Sequence, residues 1–267
     1  GFIASANNLP FPTKIPIAFE YTGYNRMQRM NEIASHSDSI SIEMLTQLQT
    51  DVLSYESLEI KELIIKKTGK DTRTYEKVNQ EYWKAFSGWD GNYYADARGP
   101  VAFETLMYFF ASSIIGEYYP QEYMKDFFMT DDRWKVLLPE LIRNETPEKI
   151  KERMILAMKN GEKYFDKYEN WGGMHRLVFG STLARVPLIG NKYKLADLGM
   201  HGSSGTLYKT AHSFTPEKHT ISYGSNSRHI SNMADIDENY FVLLGGQDDW
   251  IKSPHNYDQL ELWQKRE

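Results

Sequence analysis

Apolar positions recur at two different periods along this chain, and the change of period divides it. Gly1-Phe2-Ile3-Ala4-Ser5-Ala6-Asn7-Asn8 reads as an apolar strand that breaks at the turn cluster Asn7-Asn8-Leu9-Pro10, with further prolines at Pro12 and Pro16. An irregular stretch with Tyr21, Tyr24 and Arg26 follows. From Ser41 the spacing becomes helical. Met44, Leu45, Leu48 and Val52 share one face behind a Ser41 N-cap, and Leu58, Ile60, Leu63 and Ile64 continue an apolar run to Gly69. Tyr75–Phe86 predicts one helix stopped by Gly88, and Phe103–Ile115 predicts a buried helix ending at Gly116. Thr146, Pro147 and Glu148 are a cap, a first-turn proline and a dipole-matched acid. The stripe behind them, Ile150, Met154, Ala157, Met158, Gly161, Tyr164, Phe165 and Tyr168, has the 3.6-residue period of a core-facing helix.

After Trp171 glycines become frequent, and short runs such as Gly205–Thr210 and Tyr240–Leu244 read as strands. The order is therefore a strand, a long helical insertion, then strands. It predicts one interdependent α+β unit, with residues 1–35 as strand and loop, 36–170 as helical insertion and 171–267 as returning β-rich segment. A strand that starts at the first residue predicts a chain cut from a longer one.

Composition narrows the classes. Hydrophobic residues make up 41% of 267, enough for a sizeable core, and charged residues 25%, ordinary for a soluble globular protein. The net charge of −5 is spread along the chain without a basic block, so no nucleic-acid partner is expected. No apolar run approaches the roughly 20 residues that span a bilayer, so no membrane partner is expected. There is no cysteine, which removes disulfides, thiolate metal sites and a Cys nucleophile.

The chemistry legible in the residues is sparse. His36, His175, His201, His212, His219, His229 and His255 contain no pair at the i, i+4 spacing of a zinc-binding helix, so no metal site is expected. Asp131-Asp132 and Asp248-Asp249 lack the alternating oxygen ligands of a calcium loop. Gly202-Ser203-Ser204-Gly205 frames a serine without the helix that follows a nucleophile elbow. Trp89, Tyr93, Tyr94, Tyr118, Tyr119 and Trp250 are candidates either for a sugar platform or for core packing. Asn7 is an amide at a strand end, suited equally to a turn or to an oxyanion donor.

Six stretches, in order, resemble the penicillin acylase family. They are Gly1–Asn8 with its Asn-Asn pair; Arg26 leading into a helix with Arg29; Trp89-Asp90-Gly91 followed by Ala95-Asp96 and Ala102-Phe103-Glu104; Trp171-Gly172-Gly173-Met174-His175-Arg176; Ser225-Asn226-Ser227-Arg228; and the tail Gly245-Gly246-Gln247, Ser253-Pro254-His255, Asp258-Gln259 and Trp263. The resemblance implies a four-layer αββα fold of two stacked sheets between helices. It implies a precursor that cuts itself and an amidohydrolase whose new N-terminal Ser attacks an N-acyl amide, its own α-amine acting as base through a water.

The resemblance further implies that Asn7 donates to the tetrahedral oxyanion and that Arg26 orients the site. Gly1 has no side chain, so the Ser and most of the acyl pocket belong to an upstream segment, and the 267 residues alone are expected to be inactive. In some members a carboxylate in the loop after the Asn pair helps bind calcium; here Glu20 is the only acidic residue between Asn8 and Arg26, and no cofactor is expected. The resemblance places such an enzyme in the periplasm or outside the cell. The competing reading is a non-catalytic binding or structural module, or an inactive member of the same family.

Overall fold

The computed structural model describes residues 2–9, 14–15, 21, 23–35, 39–69, 73–120, 122–124, 133–248, 250 and 252–266. Gly1, Pro10, Pro12, Pro16, Glu20, His36, Asp131, Asp132 and Asp249 lie outside these residues, so the expectations attached to them have no structural counterpart. The chain is an α+β protein in which every named strand follows Met174.

Helices come first. They are α1 (Asn25–Ser35), α2 (Ile42–Gln49), α3 (Tyr55–Thr68), α4 (Arg73–Glu76), α5 (Gln80–Ser87), α6 (Gly99–Ile115), α7 (Arg133–Asn144), α8 (Pro147–Phe165) and the short turn α9 (Trp171–Met174); α10 (Leu260–Lys265) closes the tail. Their starts follow the local signals. Ser41 accepts from the Met44 N–H and Thr146 from the Lys149 N–H, each satisfying one orphan donor of a first turn. Helix α6 is buried on nearly every side and packs against α8, whose Ile150, Met154, Ala157, Met158, Gly161 and Phe165 are buried in the stripe that the spacing predicts.

One predicted helix is two. Tyr75–Phe86 is interrupted between α4 and α5, because the Asn79 side chain accepts from the Tyr82 N–H at 2.8 Å and so starts a new helix. Asn competes for backbone donors in this way and favours caps over helix interiors.

The strands are β1 (His175–Gly180), β2 (Lys194–Gly199), β3 (Thr210–Ala211), β4 (His219–Thr220), β5 (Tyr223–Gly224), β6 (Ser227–Ser231) and β7 (Asn239–Leu243). One sheet has the order β2-β1-β4, antiparallel between β1 and β2 and parallel between β1 and β4; β3 pairs with β5 and β6 with β7. In the parallel pair His175 stands opposite His219.

Two predicted strands are not strands. Phe2–Asn8 carries no ladder: Phe2–Ser5 has no regular structure and Ala6–Asn8 bends. No described strand borders it, Phe2 and Ile3 stay exposed, and an extended segment without a neighbour has no ladder bonds to define it as a strand. Gly205–Lys209 is a tight turn. The Thr206 hydroxyl accepts from the Ser203 N–H at 3.0 Å and lies 3.0 Å from the Ser203 carbonyl and 2.7 Å from that of Tyr208, so it closes the loop before Thr210 enters β3.

The segments that carry the family resemblance meet in the core. Tyr93 donates to Glu104 at 2.6 Å, and Trp171 donates its indole N–H to the Gly202 carbonyl at 2.9 Å. Gly172 and Gly199 press their backbones together; a Cβ on Gly199 would stand 2.8 Å from the Gly172 carbonyl oxygen. Arg228, buried, donates to the Trp263 carbonyl at 3.1 Å, and Gln259 accepts from the Leu243 N–H at 2.8 Å. These residues anchor the tail helix and the β6–β7 hairpin to the core. Among the described residues no helix is long and apolar enough to cross a membrane.

Candidate active site

The first candidate site is a bend held from two sides. Ala6 is buried, and its N–H donates to the Asn8 side chain at 3.1 Å, while the Asn8 amide donates to the Leu9 carbonyl at 3.1 Å. On the other side Arg26 Nη2 donates to the Ala6 carbonyl at 2.8 Å. Between these anchors Asn7 adopts φ 59°, the left-handed region that Asn enters more readily than most residues. Its side chain is exposed and, among the described residues, its amide makes no hydrogen bond. The turn is thus closed by Asn8, and the neighbouring amide of Asn7 is left uncommitted.

Helix α1 carries Arg26 because Met27, Met30, Ile33 and Ala34 give it an apolar face at three-and-four spacing. One turn on from Arg26, Arg29 donates to Asp51 through Nε at 3.0 Å and Nη2 at 2.7 Å, and to Glu32 at 2.8 Å. The Asp51 carboxylate, and then Glu32, hold the Arg29 guanidinium charged well above its ordinary range against the opposing effect of burial. Glu32 also receives the Tyr55 hydroxyl. Arg29 therefore moors α1 to the junction of α2 and α3, and Arg26 on the same helix holds the bend that presents Asn7.

A second constellation was invisible to linear spacing. His175, His212 and His219 each place one ring nitrogen within 4.8 Å of the others. The parallel pairing of β1 and β4 sets His175 beside His219, and His212 directly follows β3, its ring stacked on His219 with centroids 4.1 Å apart. Trp171 stacks on His175 at 4.7 Å. Burial, then the nearby His212 and His219, drive the His175 pKa well below its ordinary value, and burial lowers His219 to about 3. The signal in the sequence was the series His212, His219 and His175, but only strand pairing makes it a cluster.

A pH dependence follows. A buried imidazole with a depressed pKa binds fewer protons folded than unfolded between about pH 3 and the ordinary 6.5, so its contribution is complete above about 6.5 and lost as pH falls. For His219 the loss at pH 5 relative to pH 7 is about 2 kcal/mol. Urea midpoints of the full-length protein are expected to fall between pH 7 and 5, and to fall less in His219→Gln; equal slopes in both proteins would contradict the assignment.

The sugar-platform reading meets a geometric obstacle. Trp89 and Tyr93 lie in the core, Trp89 edge-on to Tyr93, while Tyr94, the adjacent Tyr118 and Tyr119, and Trp250 are exposed. Only the last four are open to a ligand.

A family model described as penicillin amidase matches residues 1–267, the whole chain. The chain belongs to the penicillin amidase family, and its class is that of an amidohydrolase of the penicillin acylase type. Comparison with the curated proteins gave no match.

Proposed function

We propose that this chain is the C-terminal portion of the catalytic chain of a penicillin acylase-like enzyme that hydrolyses an N-acyl amide. On this reading an N-terminal Ser from a segment upstream of Gly1 is the nucleophile, and the present residues supply part of the oxyanion site. The Ser hydroxyl adds to the amide carbonyl and gives its proton, through a water, to its own α-amine. An α-amine has an ordinary pKa near 8, so a useful fraction is neutral at pH 7. The carbonyl oxygen becomes an oxyanion, and the Asn7 amide N–H donates to it. Collapse of the intermediate expels the protonated amine and leaves an acyl-enzyme for water to cleave. No step calls for a metal or cofactor.

The observation that carries this reading is the Arg26 grip on the Ala6 carbonyl, which fixes the peptide leading into Asn7 while leaving the Asn7 amide exposed. A guanidinium offers a rigid fork of donors and a permanent charge, both suited to holding such a site still. The upstream segment is the partner, a self-cleaved precursor the source, and the periplasm or extracellular space the compartment. On this reading the present residues contribute the oxyanion donor, and the nucleophile comes from the upstream segment.

Arg26→Ala in the complete enzyme is the test. It is expected to lower kcat by up to about 10²-fold, the scale on which a misplacement of about 1 Å acts, with a smaller proportional effect on thermal stability and partial recovery in Arg26→Lys. Normal kcat combined with a lowered melting temperature would make Arg26 a structural residue and remove the support for this reading.

A further inference from the structure

We propose that His175, His212 and His219 bind a divalent transition-metal ion of the borderline class, for which Zn2+ is the natural probe. The hydrogen bonds fix which nitrogens are available. His219 Nε2 lies 2.7 Å from the Thr215 carbonyl, which only accepts, so Nε2 carries the proton and Nδ1 carries a lone pair. The Thr210 hydroxyl donates to the His201 carbonyl at 2.9 Å, so toward His175 Nε2, at 3.0 Å, it accepts; again Nδ1 keeps the lone pair. His212 Nδ1 faces the Ser213 carbonyl at 3.1 Å, which leaves a lone pair on Nε2, where the Ser203 hydroxyl donates at 3.1 Å.

The three rings are thus neutral imidazoles, each with its far nitrogen tied to a backbone carbonyl or a hydroxyl. That is how metal-binding histidines are held. Two of the three lone pairs, Nδ1 of His175 and Nδ1 of His219, are fully buried and have no hydrogen-bond partner among the described residues. A buried acceptor without a donor is costly, and a bound cation satisfies it. Imidazole sets of this kind suit zinc, copper and nickel and do not suit hard ions such as calcium.

Two buried charged groups act on His219: the Glu104 carboxyl group favours positive charge there and the Lys135 ammonium opposes it. One ring nitrogen of each histidine already lies within 4.8 Å of the others, and coordination brings the bonded nitrogens to about 3.3 Å, the separation that Zn–N bonds of about 2.0–2.1 Å set in a tetrahedron. The adjustment falls on His212, the half-buried member, which must turn out of its stack on His219 so that both lone pairs converge. The absence of helical His spacing is no obstacle, since the ligands come from three strand ends.

The test uses the full-length protein, stripped with chelator and dialysed against Zn2+, with bound metal measured by mass spectrometry and Co2+ loading read from its visible absorption. One zinc per chain and a tetrahedral Co2+ spectrum are expected. His212→Ala should weaken binding by more than the roughly 10–100-fold that loss of a supporting group costs, while Ser203→Ala should change it little. Circular dichroism checks that both variants are folded. Failure of the wild-type protein to retain zinc overturns the proposal without reference to any variant. So does zinc that survives in His212→Ala and is lost in His255→Ala, because His255 with Asp258 is an exposed pair that would bind the ion adventitiously.

Discussion

Asn7→Ala in the complete enzyme is expected to lower kcat by about 10²–10³-fold, or roughly 3–4 kcal/mol of barrier, with KM nearly unchanged. The loss falls on kcat because an oxyanion needs the donor far more than the ground-state carbonyl does. Backbone and side chain are separable here. At φ 59° Asn7 sits where an L-residue pays about 1–2 kcal/mol, so alanine brings strain as well as losing the amide. Asn7→Gly removes the amide and relieves the strain; kcat should fall as far as in the alanine variant while stability holds or rises. Asn8→Ala should do the reverse, because Asn8 makes the bonds that close the bend, and its loss should cost stability with kcat largely kept. Near-normal kcat in both Asn7 variants would sink the oxyanion role.

Trp171→Ala is expected to destabilise the fold by about 3–5 kcal/mol, a large share of the roughly 5–15 kcal/mol that holds a domain together. Trp171 is fully buried and sits where the helical and strand regions meet. Its ring contacts Tyr93 at 5.2 Å and His175 at 4.7 Å, its indole N–H satisfies the Gly202 carbonyl, and its backbone N–H donates to the Ala97 carbonyl at 2.8 Å. Alanine keeps the last bond, opens a cavity and strands the Gly202 carbonyl. Trp171→Phe fills most of the cavity and should cost about 1–3 kcal/mol, mainly the unsatisfied carbonyl. Chemical denaturation of the full-length protein measures both; a loss under about 1 kcal/mol for the alanine variant would show that the junction repacks freely.

The two residues lie at opposite ends of legibility. Trp171 belongs to a segment whose resemblance to the family was readable, and the structure explains the motif as scaffold: Trp171, Gly172, Glu104, Arg228 and Gln259 hold helices and strands together. Arg26 and Asn7 were named in the sequence by the same resemblance, yet nothing in their spacing showed that the guanidinium would reach the carbonyl just before the amide. Helix α7 carries Pro139 in its middle, a residue that removes a backbone donor and disfavours a helix interior. Burial of Trp134, Leu138 and Ile142 holds it as a helix despite the lost donor.

What the sequence determined by itself was local or compositional. The caps at Ser41 and Thr146 and the stripe of α8 depend on residues within a few positions of one another, and their physics is complete within one turn of helix. Family membership was also readable, because ordered motifs survive as strings. Tertiary structure decided what depends on distant partners. Phe2–Asn8 had the composition of a strand but no described neighbour to bond, and Gly205–Lys209 was taken into a turn by one threonine. His175 and His219, 44 positions apart in the sequence, became neighbours only through the β1–β4 register. Strand pairing and buried clusters are made by long-range closure, and their cost and reward are absent from any short window of sequence.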